Sequence, residues 1–94
     1  MRVVAGKFRS RKIEAVEGMS TRPTADKIKE AIFSRVGPYF QGGNMLDGYG
    51  GSGNMGIEAI SRGMEHVDCF EIHPKAIATI KKNLKNFNIA RAEC

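Results

Sequence analysis

Apolar positions along the chain change their period several times, and each change marks an element. Val3-Val4-Ala5 and Lys12-Ile13-Glu14-Ala15-Val16 flank Gly6-Lys7-Phe8-Arg9-Ser10-Arg11, which predicts two short strands around a basic turn. Ile13, Ala15 and Val4 would then share one apolar face of a hairpin occupying residues 1–17. Glu17-Gly18-Met19-Ser20 is a connector. The segment 18–43 next carries Ile28, Ala31, Ile32 and Val36 at helical spacing, with Thr24 as N-cap, Asp26 in the first turn and Gly37-Pro38 as the stop. That stripe is expected to be core against a sheet, with Phe33 flanking it, available to the core or to a ligand pocket. Asn44-Met45-Leu46-Asp47 reads as a strand, a Gly-rich turn follows, and a helix runs from about Asn54 to Arg62 before Gly63. His66 to Glu71 reads as a second parallel strand, and Pro74 opens a helix with Ala76, Ile77, Ile80, Leu84 and Phe87 on its apolar side. Residues beyond Asn86 leave that helix with no element assigned. The order over 44–94 is βαβα, so the chain reads as a hairpin followed by the opening half of a doubly wound α/β sheet in a single domain.

The candidate chemistry sits in Asp47-Gly48-Tyr49-Gly50-Gly51-Ser52-Gly53-Asn54-Met55-Gly56, at a strand-to-helix turn where open α/β sheets bind nucleotide-like ligands. Gly51 to Gly56 satisfies the G-x-G-x-x-G pattern of dinucleotide sites, whose amides hold a pyrophosphate. Asp47 argues for a different ligand. An anion at the strand tip repels phosphates and suits a cation such as the methionyl ammonium of S-adenosylmethionine. Glu71, about 20 residues further on, is placed to accept hydrogen bonds from ribose hydroxyls, which serves either ligand. Gly56 in the first turn of a helix costs about 1 kcal/mol relative to Ala, which a close approach of ligand or neighbouring strand would explain.

Charge adds a second candidate surface. Fifteen Lys and Arg against ten acids give +5 over 94 residues, and the N-terminal arm holds Arg2, Lys7, Arg9, Arg11 and Lys12 before its first acid, Glu14. Such an arm suits a polyanion, most simply RNA, with a solvated basic face as the competing reading. Phe8 is available to stack on a base or to pack on the hairpin. The cysteines, Cys69 and Cys94, offer no metal spacing and no disulfide framework, and Cys69 is expected as a small buried thiol in a strand of a cytoplasmic protein. His73 has no partner at ligand spacing and reads as a loop residue. No apolar run approaches the ~20 residues of a membrane span.

Several blocks together resemble the RsmD-type bacterial 16S ribosomal RNA guanine-N2 methyltransferases. They are Met1-Arg2-Val3-Val4-Ala5-Gly6-Lys7, the run from Thr21-Arg22-Pro23-Thr24 to Phe33, Gly37-Pro38-Tyr39-Phe40, Gly51-Ser52-Gly53, Gly56-Ile57-Glu58-Ala59 and Ser61-Arg62-Gly63. The resemblance covers the whole chain as the N-terminal half of the family, and implies a Rossmann-like S-adenosylmethionine-dependent methyltransferase sheet. It implies that Asp47, Tyr49, Gly51 and Gly53 hold the methionyl end of the cofactor. Glu71 and Ile72 are implied at the ribose and adenosine edge, and Thr21 and Arg22 at the cofactor's border. Arg2, Lys7, Arg9, Arg11 and Lys12 would face ribosomal RNA or the small subunit. The turn departs from the family at Gly48, Tyr49, Gly50 and Met55, and so should be looser. The family's Asn/Asp-Pro-Pro-Tyr/Phe motif is absent, because Pro23, Pro38 and Pro74 are the only prolines. The 94 residues alone are therefore expected to lack transferase activity, and a short sheet with an open edge is expected to invite self-association. A non-catalytic RNA-binding module and a fragment of an NAD-dependent oxidoreductase are the alternatives.

Overall fold

The computed structural model describes residues 1–15, 23–47, 53–90 and 92–93, the last two together with 23–25 and 47 by their backbone. Helix α1 spans Pro23–Val36, strand β1 Asn44–Asp47, helix α2 Asn54–Ser61, strand β2 His66–Cys69, helix α3 Pro74–Asn86 and strand β3 Ala92–Glu93. The strands form a parallel sheet in the order β1-β2-β3. Its register pairs Asn44 with His66, Asp47 with Cys69 and Asp68 with Glu93. Parallel neighbours need crossovers, and α2 and α3 supply them.

Each helix starts and stops for local reasons. Gly53, in the left-handed conformation at φ 83°, precedes α2, and Gly63 at φ 115° follows it. Pro74 opens α3, whose buried side is Ala76, Ile80 and Asn83, continued by Phe87 at the C-cap. Gly56 lies against β2, where a Cβ would stand 3.0 Å from Val67 Cγ1. The helix–strand approach expected from that costly glycine is thus present. The strand β3 was not among the expected elements; its two residues carry too short a pattern to register as one.

Two apolar clusters form the core. Val3, Ile13, Ile57 and Phe87 make one, and Phe33, Ala59, Ile60 and Val67 the other. Phe8 and Ile89 touch both.

Four expectations change. Among the described residues the N-terminal hairpin reduces to one antiparallel bridge, Arg2 to Lys12, and Val3 rather than Val4 shares the buried face with Ile13. Intervening residues turn back to hydrogen-bond α2 instead of continuing the ladder: the Lys7 N–H donates to Ser61 O at 3.0 Å. Helix α1 begins at Pro23, one residue before the expected cap Thr24. Its stripe is not core: Ile28, Ile32 and Val36 are 56, 44 and 65 % exposed, while Lys29 and Phe33 are buried. The neighbouring surface of α2 offers the carboxylate of Glu58, and that selects the face of α1 carrying a cation. Finally, Cys69 is disulfide-bonded rather than a free thiol. It follows directly on Asp68, the last β2 partner of β3, and the chain's other cysteine, Cys94, lies outside the described residues.

Candidate cofactor site and RNA interface

Because β1 and β2 run parallel, their C-terminal ends open on the same edge of the sheet. Asp47 ends β1 opposite Cys69, α2 starts from Gly53 beyond that tip, and Glu71 follows two residues after β2. Strand β2 stops at Cys69 rather than reaching Glu71. The chain turns there because Glu71 Oε2 accepts the amide N–H groups of Ile72 and His73, each at 3.0 Å. This carboxylate lies two residues before the N-cap of α3, His73, which itself makes no side-chain cap bond. Negative charge is favoured there by the exposed amides of the helix. Ile72 beside it is almost fully exposed, an apolar side chain at the strand edge. Of the residues expected around the ligand, the structure thus gathers the Asp47 backbone, Gly53, Glu71 and Ile72 on one edge. The Asp47 side chain, Tyr49, Gly51, Thr21 and Arg22 lie outside the described residues.

Among the described residues no group of three or more His, Cys, Asp or Glu could hold a metal ion.

Helix α2 carries a buried ionic cluster that sequence reasoning missed. Glu58, fully buried, accepts the N–H groups of Val4 at 2.8 Å and Ala5 at 3.1 Å and the Nε–H of Arg62 at 2.7 Å. Lys29 Nζ stands 3.2 Å from its Oε1. Burial pushes the Glu58 carboxyl up, but the Val4 amide, the Arg62 guanidinium, the Lys29 ammonium and the Ala5 amide together hold it below its ordinary value. Lys29, only 1 % exposed, also donates to Arg2 O at 2.6 Å and Asn54 Oδ1 at 2.7 Å, and faces Asp26 Oδ1 at 3.4 Å. Arg62 in turn donates to Pro38 O and lies over the Phe33 ring, 5.1 Å from its centroid. The i,i+4 spacing of Glu58 and Arg62 was the one available sign of this cluster. Nothing local distinguishes Lys29 from a surface lysine.

The basic arm lies flat on α2. The Lys7 N–H donates to Ser61 O, the Phe8 N–H to Ser61 Oγ, and the Ser61 hydroxyl to Ala5 O. Gly6 permits this contact: at φ 91° its missing Cβ would fall 1.8 Å from Ser61 O. The five basic side chains then divide. All five are exposed, but two of them also donate to backbone carbonyls. Arg2 donates to Ser10 O, and Arg11 donates to Asn86 O while its guanidinium covers Phe87 at 4.3 Å. Arg11 is exposed as expected, and its guanidinium also packs on the aromatic pair Phe8 and Phe87. Phe8 takes the packing role, edge-on to Phe87 at 5.2 Å with the Lys7 ammonium 5.0 Å from its ring. A cavity of about 150 Å³ opens beside them, lined by Lys7, Phe8, Ile60, Asn88, Ile89 and Ala90.

Comparison with known proteins agrees with this architecture. The family described as "Conserved hypothetical protein 95" matches residues 1–94. The chain is 52 % identical over 91 residues to the Bacillus subtilis protein named "Putative rRNA methyltransferase YlbH", covering 97 % of this chain and 50 % of that one. It is 38 % identical over 85 residues to "Ribosomal RNA small subunit methyltransferase D" of Haemophilus influenzae, covering 90 % of this chain and 44 % of that protein. The solved structure titled "Putative methyltransferase yhhF from Escherichia coli" superimposes with a TM-score of 0.84 at 29 % identity, over 98 % of this chain and 50 % of that one. The chain spans about half the length of these relatives. With a family match over its full length and a Rossmann-like methyltransferase fold, the chain belongs to the Conserved hypothetical protein 95 family, that of the RsmD-type ribosomal RNA methyltransferases.

Proposed function

We propose that this chain is the cofactor-binding, RNA-facing N-terminal part of an S-adenosylmethionine-dependent methyltransferase whose target is the exocyclic N2 amine of a guanine in small-subunit ribosomal RNA. The observation that carries the reading is the convergence of the β1 tip, the Gly53 exit and the Glu71 carboxylate on one edge of a parallel sheet. The relatives' names, two of which specify ribosomal RNA, support the same class of substrate.

S-adenosylmethionine, when bound, supplies an electrophilic methyl group on a sulfonium. This chain's own residues do the holding. Asp47 would meet the methionyl ammonium, the turn through Tyr49, Gly51 and Gly53 would hold the tail, and Glu71 would accept the ribose hydroxyls beside Ile72. Thr21 and Arg22 would border the cofactor. Lys7, Arg9 and Lys12 carry the charge that faces phosphates, and Arg2 and Arg11 stiffen the arm that presents them. Guanine must also be unstacked and its amine oriented at near-attack distance, and no Pro-Pro segment is present to do so. The 94 residues alone therefore bind and do not transfer.

Photocrosslinking with radiolabelled S-adenosylmethionine tests the reading. The expected result is a labelled chain, competed by S-adenosylhomocysteine and not by NAD, with no methyl group incorporated into small ribosomal subunits. Competition by NAD would favour the oxidoreductase alternative, and methyl incorporation would overturn the assignment of an incomplete site.

A further inference from the structure

Helix α2 starts without the usual support at its N-terminus. Gly53 has no side chain to cap it, so the first helical residue, Asn54, is pinned from outside by Lys29 at 2.7 Å. The same ammonium holds the carbonyl of Arg2 at 2.6 Å, and the Arg2 N–H donates to Asp26 Oδ2 at 3.2 Å. The peptide units on both sides of Arg2 are therefore fastened to α1. Two residues further along the arm, the amides of Val4 and Ala5 end on Glu58, the carboxylate that Lys29 also faces. The arm and the exit of the glycine turn thus share a single buried cation.

We infer that Lys29 is a positioning residue that couples the basic arm to the cofactor turn, so that RNA held by the arm and cofactor held at the sheet edge strengthen each other's binding. This rests on the proposed cofactor and RNA reading and adds the link between the two sites. The linkage follows from shared partners. Anchoring Lys7, Arg9 and Lys12 on phosphates restrains the strand carrying Arg2, Val4 and Ala5, and restraint of those groups fixes Lys29 against Asn54. In a buried, low-dielectric network the bonds polarise and order one another, and a contribution made by one ligand lowers the ordering cost of the second. Coupling of this kind is reciprocal and amounts to about 5- to 150-fold in affinity.

The test is a calorimetric coupling cycle on the 94-residue chain, using S-adenosylhomocysteine and a short RNA hairpin of small-subunit ribosomal sequence as probes. Each is titrated with and without the other. The wild-type chain is expected to bind S-adenosylhomocysteine about fivefold or more tightly when RNA is present, with the same ratio in the reverse titration. Asn54→Ala cuts only the turn side of the link and keeps Lys29 paired with Glu58. It should bring the ratio close to one while RNA affinity alone stays unchanged. Lys29→Met should also bring the ratio close to one, and Asn54→Ala answers the question if that variant fails to fold. A merely structural role would lower affinities and leave the ratio intact. Binding of both probes with a ratio of one in the wild type, or an undiminished ratio in Asn54→Ala, overturns the inference alone. Absence of S-adenosylhomocysteine binding overturns the cofactor reading and the inference with it.

Discussion

Replacing Glu58 with Gln keeps the shape of the side chain and removes its charge. The fully buried carboxylate receives two amides of the arm and the Arg62 guanidinium and faces the Lys29 ammonium. In the variant one oxygen becomes an NH2 donor pointed at another donor, and two buried cations lose their common anion. Removing one partner of a buried ion pair costs about 3–5 kcal/mol. A single small domain has about 5–15 kcal/mol in total, so the loss would be a large fraction of its stability. Urea unfolding followed by far-UV circular dichroism at pH 7 measures it. The pH dependence provides a second check. Because the carboxyl titrates lower in the folded chain than unfolded, its contribution is complete above the unfolded value of about 4.3 and fades as pH falls through the folded value. The gap between wild type and Glu58→Gln should therefore be constant from pH 7 down to about 5 and shrink below about 4. A variant within about 1 kcal/mol of wild type at pH 7, against the 3–5 expected of a broken buried pair, would refute the idea that Glu58 holds arm and helices together.

Other consequences are equally direct. Gly6→Ala places a methyl against Ser61 O and a non-glycine residue at φ 91°, and should cost about 2–4 kcal/mol in unfolding measurements through strain plus lost arm hydrogen bonds. Phe33→Ala should cost about 3–5 kcal/mol by the same assay, whereas Ile32→Lys on the exposed stripe should change stability by no more than about 0.5 kcal/mol and reduce self-association seen by sedimentation. Replacing Lys7, Arg9 and Lys12 with Gln should flatten the log-log salt dependence of RNA binding by about two, at about 0.7 to 0.9 per phosphate contact. Arg11→Gln should leave that slope nearly unchanged, since its guanidinium is already spent on Asn86 and Phe87.

The parts of the molecule legible from sequence are those fixed by local chemistry. Pro74 and Gly63 bound their helices where the pattern placed them, and strand β1 ended at Asp47 as the glycines required. Gly56 announced its contact with Val67 through its unfavourable position in a helix. What escaped was decided by partners distant along the chain. The face of α1 was misassigned because Ile28, Ile32 and Val36 outweigh Lys29 on any hydrophobicity pattern. Only the proximity of Glu58, 29 residues later in the chain, makes a lysine the buried residue. The arm lost its ladder for the same kind of reason, since Ser61 and Glu58 supply acceptors that a sequence cannot place opposite Val4, Ala5, Lys7 and Phe8. The candidate site divided likewise: Gly53 and Glu71 stand out in the sequence by their spacing, although β2 stops at Cys69 before Glu71, while the contacts of Lys29 depended on tertiary structure alone.

The most direct test of the central claim, that the edge formed by Asp47, Gly53 and Glu71 receives a methyl donor, is calorimetric titration of the chain with S-adenosylhomocysteine and separately with NAD. Saturable binding of S-adenosylhomocysteine, lost in Asp47→Ala and weakened in Glu71→Ala, with no heat from NAD, is the predicted result. Binding of NAD, or S-adenosylhomocysteine affinity that survives Asp47→Ala, would contradict it.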